Sequence, residues 1–165
     1  MIGSHSAEIE ITSCYNDGEI TGTNIGGIIG NSTGSGTIKL CKNKNTINGS
    51  YFDGGIAGYL NTRNVEVINC SNHGEIIINR TDPNEGRVGG IVGFYFTSTL
   101  KNCYNTGELI TDGGVSRLGG IVARNNSGAT IKNCYNIGKI SKADGTLAIG
   151  GASGGINGYN YSSII

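Results

Sequence analysis

The chain has 165 residues, of which 30 are Gly and only 1 is Pro; 15% are charged, and the formal net charge at pH 7 is zero. Leu, Ile, Val and Phe supply about a quarter of the residues, enough to build a core, which excludes a disordered chain, and the glycines follow no three-residue period, which excludes a collagen helix. With no basic block and no apolar run of membrane-spanning length, the sequence predicts neither nucleic-acid binding nor membrane insertion.

Taken in chain order, residues 1–6 (MIGSHS) have no apolar leader and read as an expression-vector scar. Residues 7–165 then form one domain of five tandem repeats, at about 8–36, 37–64, 65–98, 99–129 and 130–165. Each repeat opens on a short β-branched piece that leads to a cysteine: Cys14, Cys41, Cys70, Cys103 and Cys134. Three residues before these stand Ile11, Ile38, Val67, Leu100 and Ile131; two after stand Asn16, Asn43, Asn72, Asn105 and Asn136; six after stand Ile20, Ile47, Ile76, Leu109 and Ile140. A glycine block follows: GGIIG from Gly26, GGIAG from Gly54, GGIVG from Gly89 and GGIVA from Gly119, with the fifth copy open between Gly150 and Gly154. Glycine block to next cysteine takes 14 to 16 residues, whereas cysteine to glycine block takes 12 to 19. One side of the repeat is therefore fixed in length, and the other accepts insertions, the longest at Asn79–Arg87.

No piece is long enough for an amphipathic helix, and a single repeat cannot bury its own apolar side chains. Stacking does so: identical columns cover one another at the strand spacing of ~4.8 Å. The predicted fold is all-β, a right-handed parallel β-solenoid (β-helix) of three faces and five coils, with the hand taken from parallel crossover chirality. The Gly and Asn residues after each cysteine are expected to supply positive φ at the corners. The Asn column predicts a ladder of amide hydrogen bonds between coils. The cysteines predict a column of five reduced, buried thiols, because in-register neighbours stand at ~4.8 Å while a disulfide wants β-carbons at ~3.5–4.5 Å.

The alternation of the ten-residue segments at Leu100–Leu109 (LKNCYNTGEL) and Ile131–Ile140 (IKNCYNIGKI) with Gly119–Val122 (GGIV) resembles the GLUG repeat of bacterial surface and secreted proteins. Repeat two departs from that pattern, with LCKNKN at Leu40–Asn45. The resemblance implies a non-catalytic module within a large exported protein, among which are adhesin-like proteins and some immunoglobulin A-cleaving metallopeptidases.

The chemistry-bearing residues are sparse. His73, three after Cys70, lacks the second pair of ligands that a zinc site needs. Glu75 and Glu108 fall in one column, next to each other on adjacent coils, and are the candidate Ca²⁺ ligands; the competing reading is a solvated face on which Lys139 offsets Glu108. The glycine blocks lack the helix and the Lys that a phosphate loop requires. Tyr15, Tyr104 and Tyr135 share the column after the cysteine and form the candidate binding face, with Phe94, Tyr95 and Phe96 as a further aromatic cluster. No cofactor and no catalytic residue are expected. The sequence reads as a stalk or adhesion module, secreted or on the bacterial surface, whose partners are neighbouring domains and a host glycan or protein. The alternatives are an accessory domain of an immunoglobulin A-cleaving metallopeptidase and a carbohydrate-active β-helix.

Overall fold

The computed structural model describes residues 2–61, 64–79, 86–96, 98–112, 117–126, 128–146 and 152–161. Among these every regular element is a β-strand of two to four residues. The third coil shows the path. Val65–Ile68 lies in a first sheet, Ser71–Asn72 in a second, Ile76–Ile78 in a third, Arg87–Gly89 in a fourth and Val92–Tyr95 in a fifth; Thr99–Lys101 then rejoins the first sheet one level on. Neighbouring strands in every sheet run parallel. The first three sheets hold five strands each, the fourth four and the fifth six. The chain thus passes each of the first three faces five times, with about four full turns between first and last passage.

The cross-section has five sheets rather than the expected three faces. The reason is local: Gly and Asn interrupt each repeat so often that no straight segment exceeds four residues. The sixth strand of the fifth sheet is Ile2–His5, which pairs with Ile29–Ser32. These residues, set outside the domain on sequence grounds, add a rung to it, and Ile2 packs on the core.

Register follows the columns. Ile11 pairs with Ile38, Ile38 with Val67, Val67 with Leu100 and Leu100 with Ile131. Gly119 pairs with Gly154, so the copy that begins at Gly154 continues the glycine column; Gly150, like residues 80–85 of the long insertion, lies outside the described residues. The apolar side chains form two clusters. One fills the space between the first, second and fifth sheets, with Ile38, Val67, Leu100, Ile56 and Ile91 buried. The other, with Ile47, Ile76, Leu109 and Val88, joins the third sheet to the fourth. Each fully buried Ile or Leu in them is worth roughly 1.5–3 kcal/mol over an exposed one.

The corners turn at a different residue from the one expected. Positive φ falls immediately before each cysteine, at Ser13, Leu40, Asn69, Asn102 and Asn133, with values of 52° to 57°. The glycines four after the cysteine serve close approach instead: a Cβ on Gly74 or Gly107 would overlap the carbonyl of the residue below it, Asn45 or Gly74. The two glycines of each GGI block have separate duties. A Cβ on the first would strike the carbonyl three residues on, as at Gly54 with Ala57. In all but the last block a Cβ on the second would strike the Asn column, as at Gly55 with Asn72 and Gly90 with Asn105. The Asn column therefore reaches from the second sheet to the corner joining the fourth and fifth, and divides the two apolar clusters.

Candidate functional site

The polar columns are largely engaged within the fold. Each Asn Nδ2 donates to the Oδ1 of the Asn on the next coil: Asn16 to Asn43 (2.8 Å), Asn43 to Asn72 (2.8 Å), Asn72 to Asn105 (2.7 Å) and Asn105 to Asn136 (2.8 Å). The same nitrogens donate to the carbonyl two residues on, as Asn72 does to Gly74 (2.8 Å). The five thiols are free; Cys41, Cys70 and Cys103 are buried, Cys134 is half-buried and Cys14 is exposed. The expectation of five buried thiols fails at the ends, where a cysteine has a coil on one side only. Each buried thiol donates to carbonyls, Cys103 to Lys101 (3.3 Å) and Val67 (3.5 Å) for example. The Cys70 thiol and then burial push Cys41 above the usual thiol range; the Cys134 and Cys70 thiols, then burial, do the same to Cys103. The apolar surroundings, with Ile38, Val67 and Leu100 in the same cluster, favour the neutral thiol at Cys41 and Cys103.

Glu75 and Glu108 stand on adjacent coils, joined through the backbone bond from Ile76 N to Glu108 O (2.9 Å). Glu108 accepts from Ser141 Oγ (2.6 Å) and lies 3.8 Å from Lys139 Nζ. Lys139 therefore stands beside Glu108, and no group of three metal-ligating side chains occurs among the described residues. His73 sits between Ser71 Oγ (3.1 Å) and Thr106 Oγ1 (2.9 Å). Burial, then nearby Lys42, lowers its pKa.

The tyrosine column is brought together in part. Tyr104 and Tyr135 stack with centroids 5.1 Å apart and planes 2° from parallel, and His73 meets Tyr104 edge-on at 5.5 Å. Tyr135 is 51% exposed. Tyr15 is separated from them by Lys42 and Ser71 in the column and lies under Lys44 Nζ, 4.5 Å from the ring centre. The expected cluster of Phe94, Tyr95 and Phe96 divides instead: Tyr95 is fully buried and its hydroxyl donates to Val65 O (3.4 Å), because alternate residues of a strand face opposite ways.

Phe94 belongs to a second face that the sequence reading missed. Two before the second, third and fourth GGI blocks stand Phe52, Arg87 and Arg117, in register on the fourth sheet. Five after the block's first glycine stand Tyr59, Phe94, Arg124 and Tyr159, in register on the fifth. Tyr59 stacks on Phe94 at 4.9 Å, Arg87 covers Phe52 at 4.7 Å, and Arg124 lies 5.5 Å from Phe94. The signal was present as fixed offsets from the glycine block.

The GLUG motif profile matches residues 84–110. No curated protein matches the chain. Among solved structures, the crystal structure of a "putative immunoglobulin A1 protease" from Bacteroides ovatus is similar, with a TM-score of 0.71 and 24% identity over 94% of this chain and 49% of that one. The chain thus carries the GLUG motif, folds as a β-helix of the kind found in that structure, and spans about half its length.

Proposed function

We propose that this chain is a non-catalytic solenoid module of a larger secreted or surface-displayed bacterial protein, acting as a stalk whose Tyr104–Tyr135 face docks a host glycan or protein. One observation carries the reading: the residue types capable of chemistry recur as columns whose polar atoms are spent between coils, while the stacked pair Tyr104 and Tyr135 stays accessible. Stacked phenols give a flat apolar surface with a polar rim, suited to a sugar face or a protein anchor. The test is a binding screen of the chain against glycans, mucin and immunoglobulins, with substrate breakdown assayed in parallel. Saturable binding lost in the Tyr104→Ala/Tyr135→Ala double variant, without turnover, is the expected result. Turnover by the isolated chain overturns the non-catalytic reading, and binding that survives the double variant removes the docking face.

A second reading is favoured by the shared fold alone: an accessory module of an immunoglobulin A-cleaving peptidase. It predicts binding to immunoglobulin A in preference to mucin or free glycans in the same screen.

A further inference from the structure

The aromatic and arginine columns on the fourth and fifth sheets hold three positive charges close together. Arg87 and Arg117 are paired on neighbouring strands, ~4.8 Å apart along the backbone. Burial, then Arg117 and Arg124, lowers the pKa of Arg87 below the usual guanidinium range, and burial, then Arg124, does the same to Arg117. Like charges at this spacing repel. The fold holds them with ring faces: Arg87 over Phe52 at 4.7 Å, Arg117 over Tyr159 at 4.7 Å, Arg124 between Phe94 and Tyr159 at 5.5 and 5.9 Å. Rings attract a guanidinium without neutralising it.

Two other cations of this solenoid are paired with carboxylates across coils, Lys39 with Glu10 at 2.8 Å and Lys139 with Glu108 at 3.8 Å, while Lys101 and Lys132 stand in register on the first sheet. Among the described residues no carboxylate forms such a pair with Arg87, Arg117 or Arg124. Tyr51 lies close enough to Arg87 to favour its charged form, while the Nε atoms of Arg87 and Arg124 are buried without an acceptor. Among the described residues the face therefore carries three guanidinium charges, each held against an aromatic ring.

We propose that this face binds an acidic saccharide, its carboxylate or sulfate taken by Arg87, Arg117 and Arg124 and its ring laid beside Tyr159. Guanidinium forks match a planar oxyanion in shape as well as charge. A pyranose brings that oxyanion together with an apolar C–H face, and Tyr159, 37% exposed next to Arg117, offers the matching ring. An acidic peptide fits less well. The strands bearing the three arginines are each paired on both sides, so the face has no open strand edge on which a peptide backbone can pair. The proposal is independent of the tyrosine face, which lies on the second sheet.

The test titrates the whole chain with polygalacturonate, heparin, neutral dextran and poly-glutamate, by calorimetry at low and physiological salt. The expected result is saturable binding of one or both acidic saccharides, none to dextran, and at least tenfold weaker binding to poly-glutamate. Polygalacturonate against heparin separates carboxylate from sulfate as the group recognised. Arg117→Gln/Arg124→Gln is expected to lose at least tenfold in affinity while its melting temperature holds or rises. Arg117→Lys, which keeps the charge but not the fork, is expected to lose several-fold, and it decides the matter if the double variant unfolds. Equal binding of poly-glutamate, unchanged binding by Arg117→Lys, or no binding to either acidic saccharide overturns the proposal.

Discussion

Asn72 donates to Asn105 Oδ1 at 2.7 Å where both residues are fully buried, and it is at the same time the acceptor for Asn43. Asn72→Ala would leave one of the two Asn43 amide hydrogens without its acceptor, and Gly74 O and Asn105 Oδ1 without their donor. Each such buried group costs about 1–3 kcal/mol. The expected loss is about 3 kcal/mol or more by urea denaturation, against about 1 kcal/mol for Asn16→Ala at the more open end of the ladder.

The second glycine of the GGI block gives a contrast within one motif. Gly55→Ala places a methyl group on Asn72 and on the carbonyl of Gly90. Both are fixed by the next coil, so the variant is expected to lose more than about 4 kcal/mol or not to fold. Gly155 occupies the same motif position in the last block, where a Cβ meets nothing within 4 Å. Gly155→Ala is expected to stay within about 0.5 kcal/mol of the parent, read by thermal melting.

Leu40 is the apolar member of the positive-φ corner column, at φ 57° and 54% exposed. The left-handed conformation costs an ordinary side chain about 1–2 kcal/mol and Asn less. Leu40→Asn is expected to raise the melting temperature by about 2–4 °C. It would also extend the outer ladder in which Asn133 donates to Asn102 (3.2 Å) and Asn102 to Asn69 (3.0 Å).

Thiol accessibility is expected to divide the five cysteines by position. A thiol-specific reagent under native conditions should modify Cys14 at once, Cys134 slowly, and Cys41, Cys70 and Cys103 only on unfolding, as read by mass spectrometry. Fast modification of Cys70 would contradict the buried column.

Alkaline pH is expected to destabilise the fold through Tyr95. Burial holds its phenol well above the usual tyrosine range. The folded form keeps the proton while the unfolded chain releases it near pH 10, so the unfolded state binds fewer protons and stability falls as pH rises. The unfolding free energy should be flat on this account to about pH 9 and decline beyond it. Tyr95→Phe should remove that part of the decline.

The columns of the fold were legible because stacking demands identity: Ile38 over Ile11 and Asn43 over Asn16 are visible in one dimension once the cysteines are aligned. The number of sheets was not, since a corner at Leu40 is set by φ, and leucine is no signal of a left-handed turn. The burial of Tyr95 beside half-open Phe96 was hidden for a similar reason, because facing depends on where the strand Val92–Tyr95 begins. The arginine face was missed because its columns mix residue types, with Phe52 above Arg87 and Phe94 above Arg124, so identity does not mark them.

The inner ladder runs one way: every rung from Asn16 to Asn136 points its amide toward the later coil. The rod is thus a polar object, with an acceptor-type end at Asn16 and a donor-type end at Asn136. Two such modules set end to end continue the ladder only when both face the same direction, since the opposite arrangement brings oxygen against oxygen or nitrogen against nitrogen. An array built from these coils is an arrow and not a symmetric strut, and anything grafted at one end meets a different chemistry from anything grafted at the other.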